Sequence, residues 1–410
     1  MSKPFFENLL LSYTDLRDRL LFLAFCCLFF FIPLATSPAV ISGAIALAIW
    51  IFSGKALKDK DKWLKQKWTF PVLIFMLLPW VGLLWTNDVK GGLDFAKKSY
   101  YWLYAFAIAS IWLSREHIKT LLNAFLAGLL LISTISLLQF IGLVPILEWM
   151  PTIFSGKSIT ASLLLVFGML ILSFYFKEAN KIRHKAIIAS IMALFFLTLA
   201  IGTGRAGYLA FIVLSPLIVY NLFGQKHIIK IAVVTSITIA ALLLSPTVQN
   251  RIELLASDIK AYQESNPNTS IGLRLHMWQG AVKIFLENPI IGVGTGGYQL
   301  AMKKYETPNL APENRELVDP HNSYLYMASN FGILGIISLF WMFAVLLKNG
   351  LRNHHDITGF AILSYTLVLM IGSLTNTQIL SLATAFLFAI FTGLQAHMKE
   401  KLIILNHQSK

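Results

Sequence analysis

A chain of 410 residues with 56% hydrophobic and 13% charged side chains lacks the composition of a soluble domain, in which charged residues run near ~25%. Its net charge of +14 does not mark a nucleic-acid binder, because Lys and Arg lie in short connectors between apolar runs, where they orient a membrane protein and meet anionic lipid headgroups. The two cysteines, Cys26 and Cys27, are adjacent inside the first apolar run, which excludes a disulfide framework or thiolate metal site.

In chain order, charge-free apolar runs fall at 20–37, 38–53, 70–86, 100–113, 120–142, 158–176, 186–201, 207–222, 231–245, 324–347, 358–374 and 380–396. They predict an all-α polytopic membrane protein with about twelve transmembrane helices. Several runs must borrow flanking polar residues to reach the ~20 residues that a span needs. The first run lacks a small-residue cleavage pattern and reads as an uncleaved span. With both termini in the cytoplasm, the cytoplasmic connectors carry 22 Lys and Arg and the short opposite connectors carry 5, as the positive-inside rule requires. The chain then divides into spans one to nine (1–245), one large non-cytoplasmic loop (246–323), spans ten to twelve (324–396) and a cytoplasmic tail (397–410). No Asp, Glu, Lys or Arg falls inside an apolar core, which argues against an ion-coupled carrier and moves the chemistry to a membrane face.

That non-cytoplasmic face holds a short list of reactive groups: His276, His321, Arg205, Arg251, Arg274 and Arg315. Arg205 sits in the five-residue connector Thr203–Gly207, where it either snorkels to the headgroups or binds phosphate with a rigid guanidinium. In the large loop, Ile252, Leu255, Ile259 and Tyr262 keep a helical period over 250–263. A second helix over 272–286 ends at Asn288-Pro289 and carries Arg274 and Trp278 on one face. Alone, it reads as a helix lying on the membrane surface. Gly292, Gly294, Gly296 and Gly297 read as a tight turn against the bundle, with a backbone nest for phosphate as the other reading. Asp319-Pro320-His321-Asn322-Ser323-Tyr324 then puts an imidazole at the membrane surface beside a carboxylate that can fix its tautomer, a suitable general base or a structural interfacial histidine. Asp59-Lys60-Asp61 matches the D-x-D of metal-dependent sugar transferases, but its lysine-rich cytoplasmic connector makes it a solvated charge run. The opposite loops show no metal-ligand spacing.

Thr203–Gly207, Arg274–Trp278, Asn288–Gly294 and His321–Leu325, in this order around one large loop, resemble the O-antigen ligase and polymerase superfamily over about residues 185–345. The resemblance implies a GT-C-like bundle in the bacterial inner membrane, with the large loop and the active site periplasmic. It implies a glycosyltransferase whose donor is an undecaprenyl-diphosphate-linked glycan. His321 is then the catalytic base for the acceptor hydroxyl, and Arg205 and Arg274 bind the diphosphate. Lys97 or Lys98 adds a third cation, and Asp319, Asn322, Trp278 and Tyr324 support the site. No metal and no cofactor are expected. A single large loop favours the ligase reading, with inverting transfer of O-antigen to lipid A-core. A tail of few residues disfavours a protein-glycosylating relative. The alternatives are a repeat-unit polymerase of the same superfamily and a lipid-linked glycan exporter, which needs cations but no base.

Overall fold

The computed structural model describes residues 5–146, 152–153, 158–224 and 227–398; within the tail expected at 397–410, residues 399–410 lie outside them. All described elements are helical. The first half comprises α1 (Leu16–Phe31), α2 (Thr36–Phe52), α3 (Thr69–Val81), α4 (Val89–Lys97), α5 (Leu103–Ala109), α6 (Arg115–Phe140) and α7 (Ser158–Glu178). There follow α8 (Ile182–Ile201), α9 (Arg205–Phe223), α10 (Ile228–Leu243), α11 (Pro246–Gln263) and α12 (Ser270–Glu287). The chain closes with α13 (Ser323–Arg352), α14 (Ile357–Gly372) and α15 (Leu382–Leu394).

Among the described residues, five helices, α6 to α9 and α13, are long and apolar enough to cross a membrane. The pair α10 and α11, bent by 73°, would make a sixth span. Helices α2, α3, α14 and α15 are apolar but shorter, so the expected dozen spans would need these four, and also α1 and α5, to cross together with their flanks. The run expected to span at 100–113 departs from expectation: a 3-10 turn, Lys98–Trp102, leads into the seven-residue α5. Every residue from Tyr104 to Ala109 is buried, and α5 packs on α2 and α15. Interrupted helix at membrane depth is tolerated where protein surrounds it, because no lipid then faces unpaired backbone groups.

The centre of the bundle is α7. Residues Ser162 to Phe174 are buried without interruption, the signature of a helix apolar on all sides, and α6, α8, α9 and α14 pack around it. The outer helix α8 is mostly unburied. Connectors assigned by charge to the cytoplasmic side meet one another. Arg115 pairs with Glu178 and Asp356, Lys119 lies 3.7 Å from Glu178, and Lys55 lies 2.7 Å from Asp18. Asp59 and Asp61 belong to the same end, at the start of a short helix (Lys60–Leu64) beside Lys55.

The loop 246–323 has a small core of its own, built on Met277, Ala281, Ile284, Tyr298 and Met302. The apolar stripe of α11 at Ile252, Leu255 and Ile259 instead stands exposed, as an interfacial helix would leave it.

A break in α13 attaches this loop to the bundle. Gly332 has φ +61° and ψ −147°, so the helix bends and the backbone groups on either side lose their helical partners. The glycine turn supplies replacements. The amides of Val293 and Gly294 donate to Ser329 and Asn330 carbonyls at 3.0 and 2.9 Å, and the Ile333 amide donates to Pro289 O at 2.8 Å. Thr295 N donates to Gly82 O at 3.2 Å and its hydroxyl to Pro79 O at 2.6 Å, fastening the same turn to the end of α3. With the Gly292 and Gly297 amides also bonded to backbone carbonyls, no run of free N–H groups remains to cradle a phosphate, and the nest reading is discarded.

Gly292 (φ +65°) has no room for a Cβ, which would fall inside the Asn330–Phe331 peptide. Gly292→Ala should cost about 2–4 kcal/mol from combined overpacking and backbone strain. Gly142→Ala, at φ +78° but with nothing within 4 Å of the new Cβ, should cost about 1 kcal/mol. Thermal unfolding of the two variants in detergent checks this; equal losses would contradict the role given to the glycine turn.

Candidate functional site

Three arginines from three helices line one cavity of about 160 Å³: Arg205, Arg251 and Arg274. Arg205 is the first residue of α9. The turn before it is pressed onto α7, because Gly204 and Gly207 lack the Cβ atoms that would strike Ser162. Thr203 Oγ1 donates to Ile153 O at 3.1 Å, and the Tyr208 hydroxyl donates to Gly202 O, so both ends of the turn are fixed. Arg251 lies in the second turn of α11, just beyond the sharp corner at Ser245, whose hydroxyl donates to Ala200 O at 2.6 Å. Asp258, seven residues on and so on the same face as Arg251, accepts the Ile271 amide at 3.2 Å. With the Thr269 cap on the Gly272 amide, this docks the N-terminus of α12 against α11 and carries Arg274 to the cavity.

Cations dominate the electrostatics of this group, with the Asp258 carboxylate a lesser opposing charge on Arg205. Among the described residues, no Asp or Glu forms an ion pair with any of the three arginines, and Arg205 Nη1 is buried without a hydrogen-bond partner. Burial, and then the charge of Arg205, hold Arg274 below the usual arginine range. Three guanidinium groups that repel one another in a confined space favour an anion of multiple charge, and their planar donor forks suit phosphate oxygens.

His321 stands at the next position around the rim. Thr375, on the cavity wall, precedes Asn376, whose Oδ1 is 3.0 Å from His321 Nδ1. That same Oδ1 accepts the Thr377 amide at 2.9 Å, which identifies it as the acceptor atom. His321 Nδ1 therefore carries the proton, and Nε2 of the neutral ring has its lone pair available as a base. Asp319 Oδ1 lies 3.6 Å from Nδ1, accepts the His321 amide at 2.7 Å and is bonded by the Thr377 hydroxyl. This Asx turn holds His321 at φ +47°, a left-handed conformation that histidine accepts more readily than branched residues. A second link ties the base to the arginines: Trp278, one turn beyond Arg274, donates its indole N–H to Pro320 O at 2.9 Å.

The remaining expected residues divide into two groups. Asn322 caps α13 through the Tyr324 and Leu325 amides, and Tyr324 donates its hydroxyl to Met370 O at 2.9 Å, so both hold the His321 segment to the α14 end. Lys97 instead faces Asp94 at 3.5 Å, and Lys98 lies over the Phe95 ring at 5.0 Å; neither lines the arginine cavity. The third cation there is Arg251. Sequence reasoning had Arg251 among four candidates but no reason to prefer it to Arg315, which donates to Leu310 O. It missed Thr375, Asn376 and Thr377 entirely. Their one signal is a polar cluster in the short connector after α14.

Residues 190–340 match the model of a family described as O-antigen ligase, a region that includes all three arginines and His321. Over 229 residues the chain is 29% identical to an uncharacterized protein of Haemophilus influenzae, covering 54% of this chain and 57% of that one. Over 161 residues it is 29% identical to a protein of Escherichia coli named O-antigen ligase, covering 35% and 36% of the two chains. The matched regions thus span little more than half and about a third of these relatives.

Inorganic pyrophosphate should raise the thermal midpoint of the purified protein, by a margin equivalent to about 2.7 kcal/mol at a hundredfold excess over its Kd. Arg251→Ala and Arg274→Ala should each remove most of that stabilisation. A shift that both variants retain would place anion binding elsewhere.

Proposed function

From the match of residues 190–340 to the O-antigen ligase family and the geometry of the site, we propose that this chain is an inverting, metal-independent glycosyltransferase of the bacterial inner membrane. It transfers O-antigen polysaccharide from undecaprenyl diphosphate to lipid A-core at the periplasmic face. The observation that carries this reading is the three-arginine cavity and, bonded to the residue that follows its wall residue Thr375, the tautomer-fixed His321.

The chemistry follows from charge development. The acceptor hydroxyl attacks the anomeric carbon and gives its proton to His321 Nε2, while the bond from that carbon to the diphosphate oxygen breaks. The electron pair leaves with the diphosphate, whose growing charge meets Arg205, Arg251 and Arg274. Cations already in place stabilise this transition state more than the ground state, since they need no reorganisation as charge appears. Asp319 stabilises the imidazolium that forms, and Asn376 keeps the ring oriented. Inversion follows from a single displacement, with base and leaving group on opposite faces of the sugar. The polyprenyl tail lies among membrane lipids, which accounts for a site at the bundle rim.

His321→Ala should lower transfer by about 10³-fold, within the range for a lost general base, with membrane protein levels unchanged. Arg205→Lys keeps a charge but loses the bidentate fork and should cost about 10²-fold. Transfer of glycan to lipid A-core by purified protein measures both. Near wild-type transfer by His321→Ala would remove the mechanism. In a deletion strain the reading requires core-only lipopolysaccharide with long glycans stranded on the carrier; core bearing a single repeat unit would instead indicate a polymerase.

A further inference from the structure

Helix α12 has a second polar face. Arg274 and Trp278 point one way, whereas His276, Gln279, Gly280 and Lys283 follow the i, i+3, i+4, i+7 pattern on roughly the opposite side, at ~100° per residue. This second face is one wall of another cavity, of about 400 Å³, within the range of small-molecule sites. Tyr262 and Ser265, at the end of α11, form a second wall, and Tyr305, Thr307 and Asn309 form the third.

The walls are braced rather than loosely apposed. The Tyr262 hydroxyl donates to Gln279 Oε1 at 2.8 Å, and Asn309 Nδ2 donates to Ser265 O at 3.0 Å. Asn268 Nδ2 donates to Asn309 O at 2.7 Å, and Lys283 Nζ stands 5.4 Å from the Tyr305 ring centre. The small residue Gly280 lets Met302 pack beneath the floor. One group is left over: His276 is 6% exposed, and its Nε2 is buried without a hydrogen-bond partner. Burial, with the charge of Lys283 second, lowers the His276 pKa from its ordinary value, so the ring is neutral at pH 7 and offers one donor and one acceptor.

We propose that this cavity is a saccharide subsite, one that holds a sugar unit with an anionic substituent away from the reacting centre. A sugar ring needs donors and acceptors spaced around its rim and a flat surface for its C–H face. The cavity offers amide, hydroxyl and imidazole groups for the first and tyrosine rings for the second. The lining contains one cation, Lys283, and no carboxylate; Glu306, between the lining residues Tyr305 and Thr307, is near enough to act on His276, so selection of a carboxylate or phosphate on the sugar rests on Lys283. An acyl chain or apolar peptide would leave these polar groups unpaired. The subsite extends the glycosyltransferase reading: a sugar held behind α12 belongs to a chain whose reacting end reaches the front. Such a sugar comes from either the donor glycan or the acceptor core.

Saturation-transfer NMR on the full-length protein in detergent tests binding directly, with glucuronate, glucose 6-phosphate and glucose as probes. The two charged sugars should show transfer that falls at least about fivefold in Lys283→Met and in Gln279→Leu, both at exposed positions, and that persists in Arg274→Ala. Absence of transfer from all three sugars overturns the proposal. So does transfer unchanged in the first two variants, or lost only in Arg274→Ala, which would assign it to the arginine cavity. In the transfer assay, Lys283→Met should raise KM about fivefold or more for one glycan substrate with kcat retained, and the affected substrate identifies the source of the sugar. Unchanged KM for both substrates overturns the proposal as well. Should the wild-type protein prove inactive in transfer, the NMR arm still decides this subsite, so the two readings fail separately.

Discussion

Three guanidinium groups share a cavity in which no described carboxylate pairs with them, and much of the architecture around it serves to hold them there. Like charges at close range raise the energy of the folded chain, so each must be held by interactions other than ion pairs. Arg205 is held by a turn too tight to relax, braced by Ile153, Tyr208 and the α7 surface. Arg251 follows a corner bonded at Ser245, and Arg274 follows a helix start bonded by Asp258 and Thr269. Rigidity of this kind suits a site that must meet charge as it develops.

The second requirement is to bring a base to those cations without letting a carboxylate neutralise them. Asp319 is within reach of His321, but the Asx turn, the Thr377 hydroxyl and the imidazole all hold its carboxylate on the base. Asn376 then does with a neutral amide what a second carboxylate would do with a charge: it fixes the ring and leaves the arginines unpaired. The break in α13 belongs to the same design. It gives the helix a short first segment, Ser323–Phe331, and a bonded seat for the glycine turn that anchors the loop. The His321 end of α13 and the Arg274 helix are thus joined through backbone hydrogen bonds as well as through Trp278.

What the sequence disclosed, and what it did not, follows from the range of the interactions. Apolar periodicity is local, so the helices of the bundle and the two loop helices were legible, the latter within a few residues of Pro246–Gln263 and Ser270–Glu287. Charge in the connectors grouped Arg205, Arg274 and His321 on one expected face, and the structure brings Arg205 and Arg274 to one cavity. The interior position of α5 was not legible, because burial among other helices lets a run too short for a bilayer look like a span. Lys97 and Lys98 followed from the family resemblance and from their side of the membrane, whereas the cavity depends on which helices touch. Arg251 and Asn376 become visible only when α11 folds back on α12 and the connector after α14 closes on the His321 segment, the second a contact across more than fifty residues; no pattern in the sequence encodes either.

The central claim is that arginines and histidine form one site around a lipid-linked diphosphate. The most direct measurement is a cryo-EM structure of the protein with undecaprenyl diphosphate bound. Both phosphates should lie within hydrogen-bonding distance of Arg205, Arg251 and Arg274, with the His321 Nε2 edge facing the terminal phosphate. Density for the diphosphate outside that cavity, against Lys97 and Lys98 for instance, would contradict the account.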